Sequence, residues 1–340
     1  MELYSYQDVL DECGGKRHLL LGNGFSIACR PELFTYARLF DMADFTGIPR
    51  AREAFTKLET TNFEAVIRAL RNFASLANLY APADAESRFK AESDARAIRE
   101  VLVSAVAGTH PDRPHEINPN EYFLARDFLR GYKSINTLNY DLLLYWTMMQ
   151  TELGDRQIEC DDGFRKPAED PEASYVSWDP SNSHGQTIRY LHGALHLYDT
   201  GVEMQKFTWA NTQIPLIEQI RSALNNNYYP VFVSEGTSDE KVERIRHNDY
   251  LSKMYRGFTE IKDNLVIYGH SLDECDDHIF IDRIGRRGKI KRLYVSLFGD
   301  PDSPSNRSII RKAESIPEYR KIKHPLEVKF YDAASATLWR

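Results

Sequence analysis

Cysteine is scarce in this chain, and its four cysteines lie far apart in the sequence. Cys13, Cys29, Cys160 and Cys275 form no Cys-x-x-Cys pair. The sequence therefore predicts neither a zinc ribbon nor a disulfide framework. We interpret the four side chains as reduced thiols, which are typical of a cytoplasmic protein.

Long hydrophobic runs are missing as well. No apolar run approaches the ~20 residues that span a bilayer. Residues 1–8 have neither the basic start nor the apolar core of a signal peptide. We therefore expect a soluble, cytoplasmic protein that does not interact with membranes.

Positive charge is in the minority. The 340 residues include 43 Lys and Arg against 50 Asp and Glu, a net charge of −7. Direct binding to nucleic acid, which favours a basic surface, is not expected. Hydrophobic residues make up 42% of the chain, a proportion typical of a globular protein with a sizeable core.

Short apolar runs alternate with helical patterns along much of the sequence. Leu19, Leu20 and Leu21 form the first run, which ends in Gly22-Asn-Gly24. Continuous apolar runs are typical of parallel strands that are buried on both faces. The alternation predicts an α/β fold with a doubly wound, mainly parallel, Rossmann-like sheet. Further strands are predicted at 134–138, 187–191, 230–233, 265–268, 293–297 and 326–331.

The rest of the pattern predicts one domain with insertions. We interpret residues 1–340 as a single domain with a large helical insertion at 50–130. Two flap or insertion segments are predicted at 150–186 and 197–229. The composition of 154–183, rich in Asp, Glu, Pro, Ser and Gly, indicates an irregular arm. Such an arm could cover a site or meet a partner.

Polar and glycine residues follow five of the predicted strands. In a parallel sheet the carboxyl ends of the strands share one edge, where ligands bind. The sequence therefore predicts one polar site at that edge. Its elements are Gly22-Asn-Gly24, Asn139-Tyr-Asp141, His192-Gly193, Ser234-Glu-Gly236 and Gly269-His-Ser271.

In this order, the motifs resemble those of the sirtuin-like NAD-binding domain. The family's Gly-x-Gly-x-Ser loop is matched by residues 22–26, and its Asn-x-Asp element by residues 139–141. Its His-Gly is matched by 192–193, its Gly-x-Ser-Leu by 269–272, and its last strand end, loosely, by 331–333. The resemblance covers roughly residues 15–48, 133–147, 187–196 and 230–333.

The departures from sirtuin deacylases favour a different reaction. Residues 194–229 contain no cysteine, so the four-cysteine zinc ribbon of the deacylases is absent. The long helical segment is more similar to bacterial sirtuin-like NADase effectors of anti-phage abortive infection. The resemblance thus implies an NAD+ hydrolase that releases nicotinamide and ADP-ribose. It also implies a homo-oligomer, or a complex with a regulatory or sensor protein, that holds the activity off until a signal arrives.

The resemblance assigns roles to individual side chains. Asn139 would orient water, Asp141 would stabilise positive charge on the sugar, and His192 would act as general base. NAD+ is the substrate, and no metal cofactor is expected. The cofactor-binding residues implied are Gly22, Asn23, Gly24, Phe25, Ser26, Gly269, His270, Ser271 and Asp332.

Several of these residues have simpler interpretations. Asn139 and Asp141 could cap the helix that follows them, and His192 could merely end a strand. His192 and His196, four residues apart, could form a metal pair on a helix, although no carboxylate or cysteine at metal spacing accompanies them. Glu64, with Asn62, could reach the site, but helix capping is favoured.

The rim loops and the reaction itself also allow more than one interpretation. Glu235 and Asp239 fit a solvated loop, and His270 could touch a ribose or fill space. An NAD-dependent protein deacylase or ADP-ribosyltransferase stays open as a second function. A module that senses NAD or ADP-ribose without turnover is a third.

Overall fold

The strands were defined in a computed structural model of the chain. It describes residues 3–80, 84–150, 161–183, 185–208, 212–226, 228–233, 237–320 and 324–340. The strands in these ranges are β1 (Arg17–Leu21), β2 (Ile135–Thr137), β3 (Phe164–Arg165), β4 (Tyr175–Trp178), β5 (Ile188–Tyr190), β6 (Leu197–Asp199), β7 (Met204–Phe207), β8 (Lys262–Tyr268), β9 (Lys289–Leu297) and β10 (Glu327–Asp332).

Six of the strands form one sheet in the order β10-β9-β8-β1-β2-β5. All neighbours in this sheet are parallel. Numbered along the chain, the order is 3-2-1-4-5-6, the arrangement of a doubly wound dinucleotide-binding fold. The strand order reverses between β1 and β8, so a crevice is expected beyond the carboxyl ends of these two strands. The predicted fold class is confirmed.

Burial of apolar side chains explains why β1 and β8 lie at the centre of the sheet. Leu19, Leu20 and Leu21 of β1 are fully buried, as are Val266 and Ile267 of β8. Each buried aliphatic side chain contributes roughly 1.5–3 kcal/mol. A run of such residues is stable only where helices cover both faces of the sheet.

Helices connect the strands and form most of the segment between β1 and β2. Asn62 caps the long helix α6, since its Oδ1 accepts a hydrogen bond from the Ala65 N–H at 3.2 Å. No helix within the described ranges is long and apolar enough to cross a membrane. The α-helices are α1 (Tyr6–Cys13), α2 (Gly24–Cys29), α3 (Pro31–Phe34), α4 (Tyr36–Met42), α5 (Pro49–Lys57), α6 (Phe63–Tyr80), α7 (Ala85–Thr109), α8 (Pro119–Leu129), α9 (Leu143–Met149), α10 (Leu216–Asn225), α11 (Ser238–His247), α12 (Asp249–Thr259) and α13 (Pro304–Ser315).

A second sheet occupies the segments predicted to be an irregular arm and an insertion. Strands β3, β4, β7 and β6 form a four-stranded antiparallel sheet in that order. The expectation of an irregular arm over 154–183 was wrong for its described part. Strand β4 pairs with β7, about thirty residues further along, and a local sequence pattern does not reveal such distant pairing. Residues 151–160 lie outside the described ranges.

Two further sequence-based expectations need correction. Residues 230–233 are not a strand of the parallel sheet, because Phe232 forms only an isolated antiparallel bridge with Gly193. The sequence pattern also predicts a helix over 276–284, between the strands at 265–268 and 293–297. The structure has a short turn there, Glu274–Asp276, followed by a π-helical segment, His278–Arg286. As a result, the backbone at Phe232 and the side chain of His278 lie next to the end of β5.

Candidate functional site

The glycines after β1 and β8 hold two chain segments in direct contact at the reversal of strand order. The Gly24 N–H donates to the Gly269 carbonyl at 2.8 Å. A Cβ on Gly24 would lie 2.4 Å from the Gly269 Cα, and Gly269 itself has a φ of +68°. Larger residues at either position would force the two strand ends apart.

The Gly-x-Gly loop uses several of its own N–H groups internally. The Phe25 N–H donates to Gly22, and the Ser26 N–H donates to Asn23, each at 3.0 Å. The Asn23 side chain donates to the carbonyl of Phe34 at 3.1 Å. The predicted role of this loop in cofactor binding therefore stays a prediction. What the structure shows is that its Gly24 allows the close approach to Gly269.

Ser26, Asn139 and Asp141 form a hydrogen-bonded cluster where β1 and β2 end. The Ser26 hydroxyl donates to Asp141 Oδ2 and accepts from Asn139 Nδ2 at 3.0 Å. All three side chains are buried. The other carboxylate oxygen of Asp141 accepts from the Leu143 N–H at 2.8 Å, so Asp141 also holds the start of α9. Asp141 therefore both caps α9 and belongs to the polar cluster.

Burial changes the protonation of Asp141. Desolvation raises the pKa of this carboxyl, and the hydrogen bonds from Ser26 and Leu143 oppose the rise without cancelling it. Asp141 therefore lies in an environment where its negative charge is costly. A positive charge developing next to it would be favourable.

His192 lies just after β5, where the backbone turns sharply. Gly193 has a φ of +79°, and a Cβ there would lie 2.0 Å from the Val231 carbonyl oxygen. Glycine is thus required at this position because residues 231–232 cross the strand end. Contact with that crossing backbone also places the His192 ring in the interior, with 2% of the residue exposed.

A second histidine faces His192. The Nε2 atoms of His192 and His278 are 3.0 Å apart, and the rings are nearly parallel at 21°. One nitrogen must donate and the other accept. Burial lowers the pKa of His192 well below its usual value and that of His278 to about 3. Both imidazoles are therefore neutral at neutral pH.

Asp276 connects this histidine pair to His270. His270 Nδ1 accepts from the Leu272 N–H at 2.8 Å, so the proton of this ring is on Nε2, which lies 3.2 Å from Asp276 Oδ2. Asp276 Oδ1 is 3.9 Å from His192 Nε2. His270, predicted as a cofactor-binding residue, therefore belongs to the same network as His192.

A buried lysine balances the carboxylates of the network. Lys241 Nζ lies 2.8 Å from Asp276 and 3.2 Å from Glu64 Oε2. Burial disfavours its charge, but Glu64 and Asp276 outweigh this and raise the pKa of Lys241 well above its usual value. Burial raises the pKa of Glu64. At Asp276 burial acts in the same direction, but Lys241 and His270 outweigh it and bring the pKa well below its usual range.

Of the two residues for which helix capping was favoured, Glu64 contacts this network instead, through Lys241. Asn62 performs the capping. Glu64 receives hydrogen bonds from Tyr140 at 3.3 Å and from Cys275 at 3.4 Å. Tyr140 of the Asn-Tyr-Asp motif therefore contacts the network of Glu64 and Lys241. Its neighbours Asn139 and Asp141 belong to the cluster with Ser26.

His192, His278 and Asp276 together present side chains of the types that bind metals. Ligand atoms of the three side chains lie within 4.8 Å of one another, and these are ligand types of zinc and iron. However, the Lys241 ammonium lies 2.8 Å from Asp276 Oδ1. Its positive charge would repel a metal cation bound to that oxygen. Nδ1 of His278 is buried and has no hydrogen-bond partner within the described ranges. The expectation of no metal cofactor stays a prediction.

The remaining predicted cofactor residues are spread along the edge of the sheet. Ser271 is exposed, and Phe25 is buried against Trp339 at 5.2 Å between ring centroids. Asp332 ends β10, three strands or roughly 14 Å from β1, and accepts from the Ala334 N–H. Residues 234–236, including the expected rim residue Glu235, lie outside the described ranges, and Asp239 lies in the first turn of α11.

Sequence reasoning missed Lys241, Cys275, Asp276 and His278 as members of the site. Lys241 lies on α11, whose highly charged sequence predicts a helix exposed to solvent. The only available signal was the Asp-Glu-Cys-Asp-Asp-His run at 273–278, directly after the Gly-His-Ser motif. Its polar density at a strand end is the feature that indicates a site.

His196 is separate from the histidine pair. Its ring lies between Tyr145 and Tyr190, at centroid distances of 5.0 and 5.3 Å. It is fully buried, and neither ring nitrogen has a hydrogen-bond partner within the described ranges. The metal pair of His192 and His196 on a helix is not formed, since His196 lies in a turn and His192 faces His278.

We expect His196→Leu to stabilise the protein. Leucine has a similar volume, and its substitution removes two buried polar atoms without partners, so the free energy of unfolding should rise by about 1 kcal/mol at pH 7. Burial keeps the pKa of His196 well below its usual value, so wild type loses stability as pH falls below the unfolded value near 6.5. The variant should lack that contribution, up to about 1.4 kcal/mol per pH unit.

Urea unfolding at pH 7.0, 6.0 and 5.0 measures both effects. His115→Leu, at an exposed histidine, is the matched control and should change neither. An unaltered pH dependence in His196→Leu would show that the imidazole is not buried in its neutral form.

The fold and the site together define a doubly wound α/β protein with a buried polar network at the carboxyl ends of its strands. The chain belongs to the DUF4917 family, a domain of unknown function whose model matches residues 19–339. A comparison with curated proteins gave no match.

Proposed function

We propose that this chain is an NAD+ glycohydrolase that cleaves NAD+ to nicotinamide and ADP-ribose. The observation that supports this most directly is the convergence of Ser26, Asn139 and Asp141 in one buried cluster. The cluster lies beside the point where the strand order reverses, the usual position of a dinucleotide in this architecture.

In the proposed reaction, water attacks C1′ of the ribose that carries nicotinamide. The C–N bond breaks, and its electron pair neutralises the positive ring nitrogen of the leaving nicotinamide. Asp141 stabilises the positive charge that develops on the sugar, because ionised carboxylates are acceptors and favour cations. Asn139 orients the attacking water.

His192 accepts the proton of that water. In the tautomer that suits this role, Nε2 of His192 donates to His278 and Nδ1 is the basic nitrogen. Burial lowers the pKa of His192, so the neutral form that a base requires is present at neutral pH. The proton then passes to solvent, and the products are nicotinamide, ADP-ribose and H⁺.

The proposal includes a role in abortive infection. Unregulated NAD+ loss kills a cell, so the hydrolase would act as an anti-phage effector that a partner protein, a signal or assembly activates. Full depletion of NAD+ by the purified chain alone would contradict the requirement for an activator.

The test of the NADase assignment combines binding and turnover. Calorimetry with NAD+ and chromatography of released nicotinamide are run on wild type and on Asn139→Ala. We expect wild type to bind NAD+, and to release nicotinamide slowly when purified and fully in cell extract that supplies the activator. Release should be at least about 100-fold slower in Asn139→Ala because water is no longer oriented. Wild type that neither binds NAD+ nor releases nicotinamide overturns the proposal.

Three other outcomes would each support a different function. Release that depends strictly on an acylated peptide would indicate a deacylase, and transfer of ADP-ribose to protein would indicate a transferase. Binding of NAD+ or ADP-ribose without any turnover, in cell extract as well as in purified form, would indicate a sensing module.

A further inference from the structure

Large apolar side chains are exposed at one end of the α6–α7 hairpin. The first half of α6 is anchored on the body of the protein, where Phe63, Val66 and Ile67 are buried. The last two turns differ, with Phe73 50% exposed, Leu76 56% and Tyr80 80%. Leu79 is 71% exposed, and Phe89, near the start of α7, is 64% exposed.

Their spacing is that of a helix-packing seam. Ala69, Phe73, Leu76 and Tyr80 follow one another at intervals of four, three and four residues. This is the repeat that lines one face of a helix for packing against a second helix. Arg68 and Arg71, which point away from the seam, pair with Asp273 and Glu240 and fix the orientation of α6.

The uncovered area is larger than a monomer normally leaves. The five side chains together expose on the order of 700 Å², whereas the largest apolar patch on a typical monomer is about 300–600 Å². A standard interface buries about 800 Å² on each partner. The patch is therefore of the size that one half of a dimer interface requires.

From this seam and this area we infer that the chain forms a two-fold dimer through the α6–α7 hairpin, with a second copy of itself as the partner. A two-fold axis packs α6 antiparallel against its counterpart, which places Leu76 opposite Leu76 and Phe73 opposite Leu79, next to Tyr80. The charges at the start of α7, where Phe89 lies, are balanced: Asp84 and Glu86 are acidic, and Arg88 and Lys90 are basic. This mixture offers no net charge to select an oppositely charged partner, and it suits self-association. The inference is independent of the proposed function.

Sedimentation velocity across a range of concentrations tests the dimer. Wild type should sediment as a dimer at micromolar concentration. The double variant Leu76→Glu/Tyr80→Glu should raise the dissociation constant at least about 100-fold, because it places like charges at the centre of the contact. Its far-ultraviolet circular dichroism should be unchanged, since both side chains are exposed in the monomer. Val202→Glu, at a residue 95% exposed on another surface, is the matched control and should remain dimeric.

Cross-linking tests the geometry. Leu76→Cys should form a disulfide-linked dimer on mild oxidation, whereas Val202→Cys should not. A monomeric wild type, or a double variant that still dimerises, overturns the inference. A monomeric wild type that binds phospholipid vesicles through this patch also overturns it, and would identify a lipid surface as the occupant.

Discussion

We expect His192→Ala to lower the rate of nicotinamide release by about 10²- to 10⁴-fold, the usual contribution of a general base, if the proposed function is correct. The loss should appear in kcat, while NAD+ binding is retained, because the Ser26–Asn139–Asp141 cluster does not depend on the imidazole. Chromatography of nicotinamide with calorimetric titration of NAD+ separates the two quantities. A variant with wild-type turnover would refute the assignment of His192 as the base.

The pH profile gives a second readout of the same prediction. Burial lowers the pKa of His192, so the base stays neutral, and active, as pH falls through 6.5. The acid limb of kcat should therefore lie well below 6.5. An acid limb close to 6.5 would show that the functional imidazole is solvated rather than buried.

His278 is the control that separates a base from a positioning residue. Its Nε2 lies 3.0 Å from that of His192, so it orients the His192 ring without touching the reacting atoms. His278→Ala should lower kcat less than His192→Ala does. His278→Gln, whose amide oxygen can accept the same hydrogen bond, should recover part of the activity. Equal losses in all three variants would contradict this division.

Lys241→Met lowers the free energy of unfolding by about 3–5 kcal/mol, the usual result of removing one partner from a buried ion pair. Lys241 is 1% exposed and lies on both Glu64 and Asp276. Without its charge, two carboxylates remain in the interior. Proton uptake should relieve them, so the deficit should shrink as pH falls toward 5.

Urea denaturation at pH 7.5 and 5.5 measures this effect. Lys291→Met is the matched control, because Lys291 is 77% exposed and pairs with Asp263 at 3.5 Å; it should change stability by less than about 1 kcal/mol. Adding Glu64→Gln to Lys241→Met should restore part of the lost stability. A Lys241→Met protein as stable as wild type would show that the lysine is not the counterion of the network.

Local pattern was sufficient for the strands of the parallel sheet. The runs around Leu19, Leu265 and Leu293 are apolar enough to require burial on both faces, and no other element satisfies that requirement at such length. The strands of the second sheet were not predicted, for the opposite reason. They are two to four residues long and partly polar, and they are stable only once β4 has paired with β7.

The site, too, could be predicted from the sequence only in part. Asn139, Asp141, His192 and His270 stand at predicted strand ends, so the parallel order alone brings them to one edge of the sheet. Lys241 and His278 come from a charged helix and from a π-helical segment. No sequence spacing relates them to Glu64, which lies 177 residues before Lys241.

By itself, the sequence determined the α/β class, the parallel strands and the glycine-bounded edge where polar side chains collect, because hydrophobic burial and strand polarity are local properties of the chain. Only the tertiary structure decided that His192 faces His278, that Lys241 balances Glu64 and Asp276, and that Gly24 and Gly269 touch. Each of these contacts joins residues far apart in sequence, and its energy depends on burial that exists only after the chain has packed.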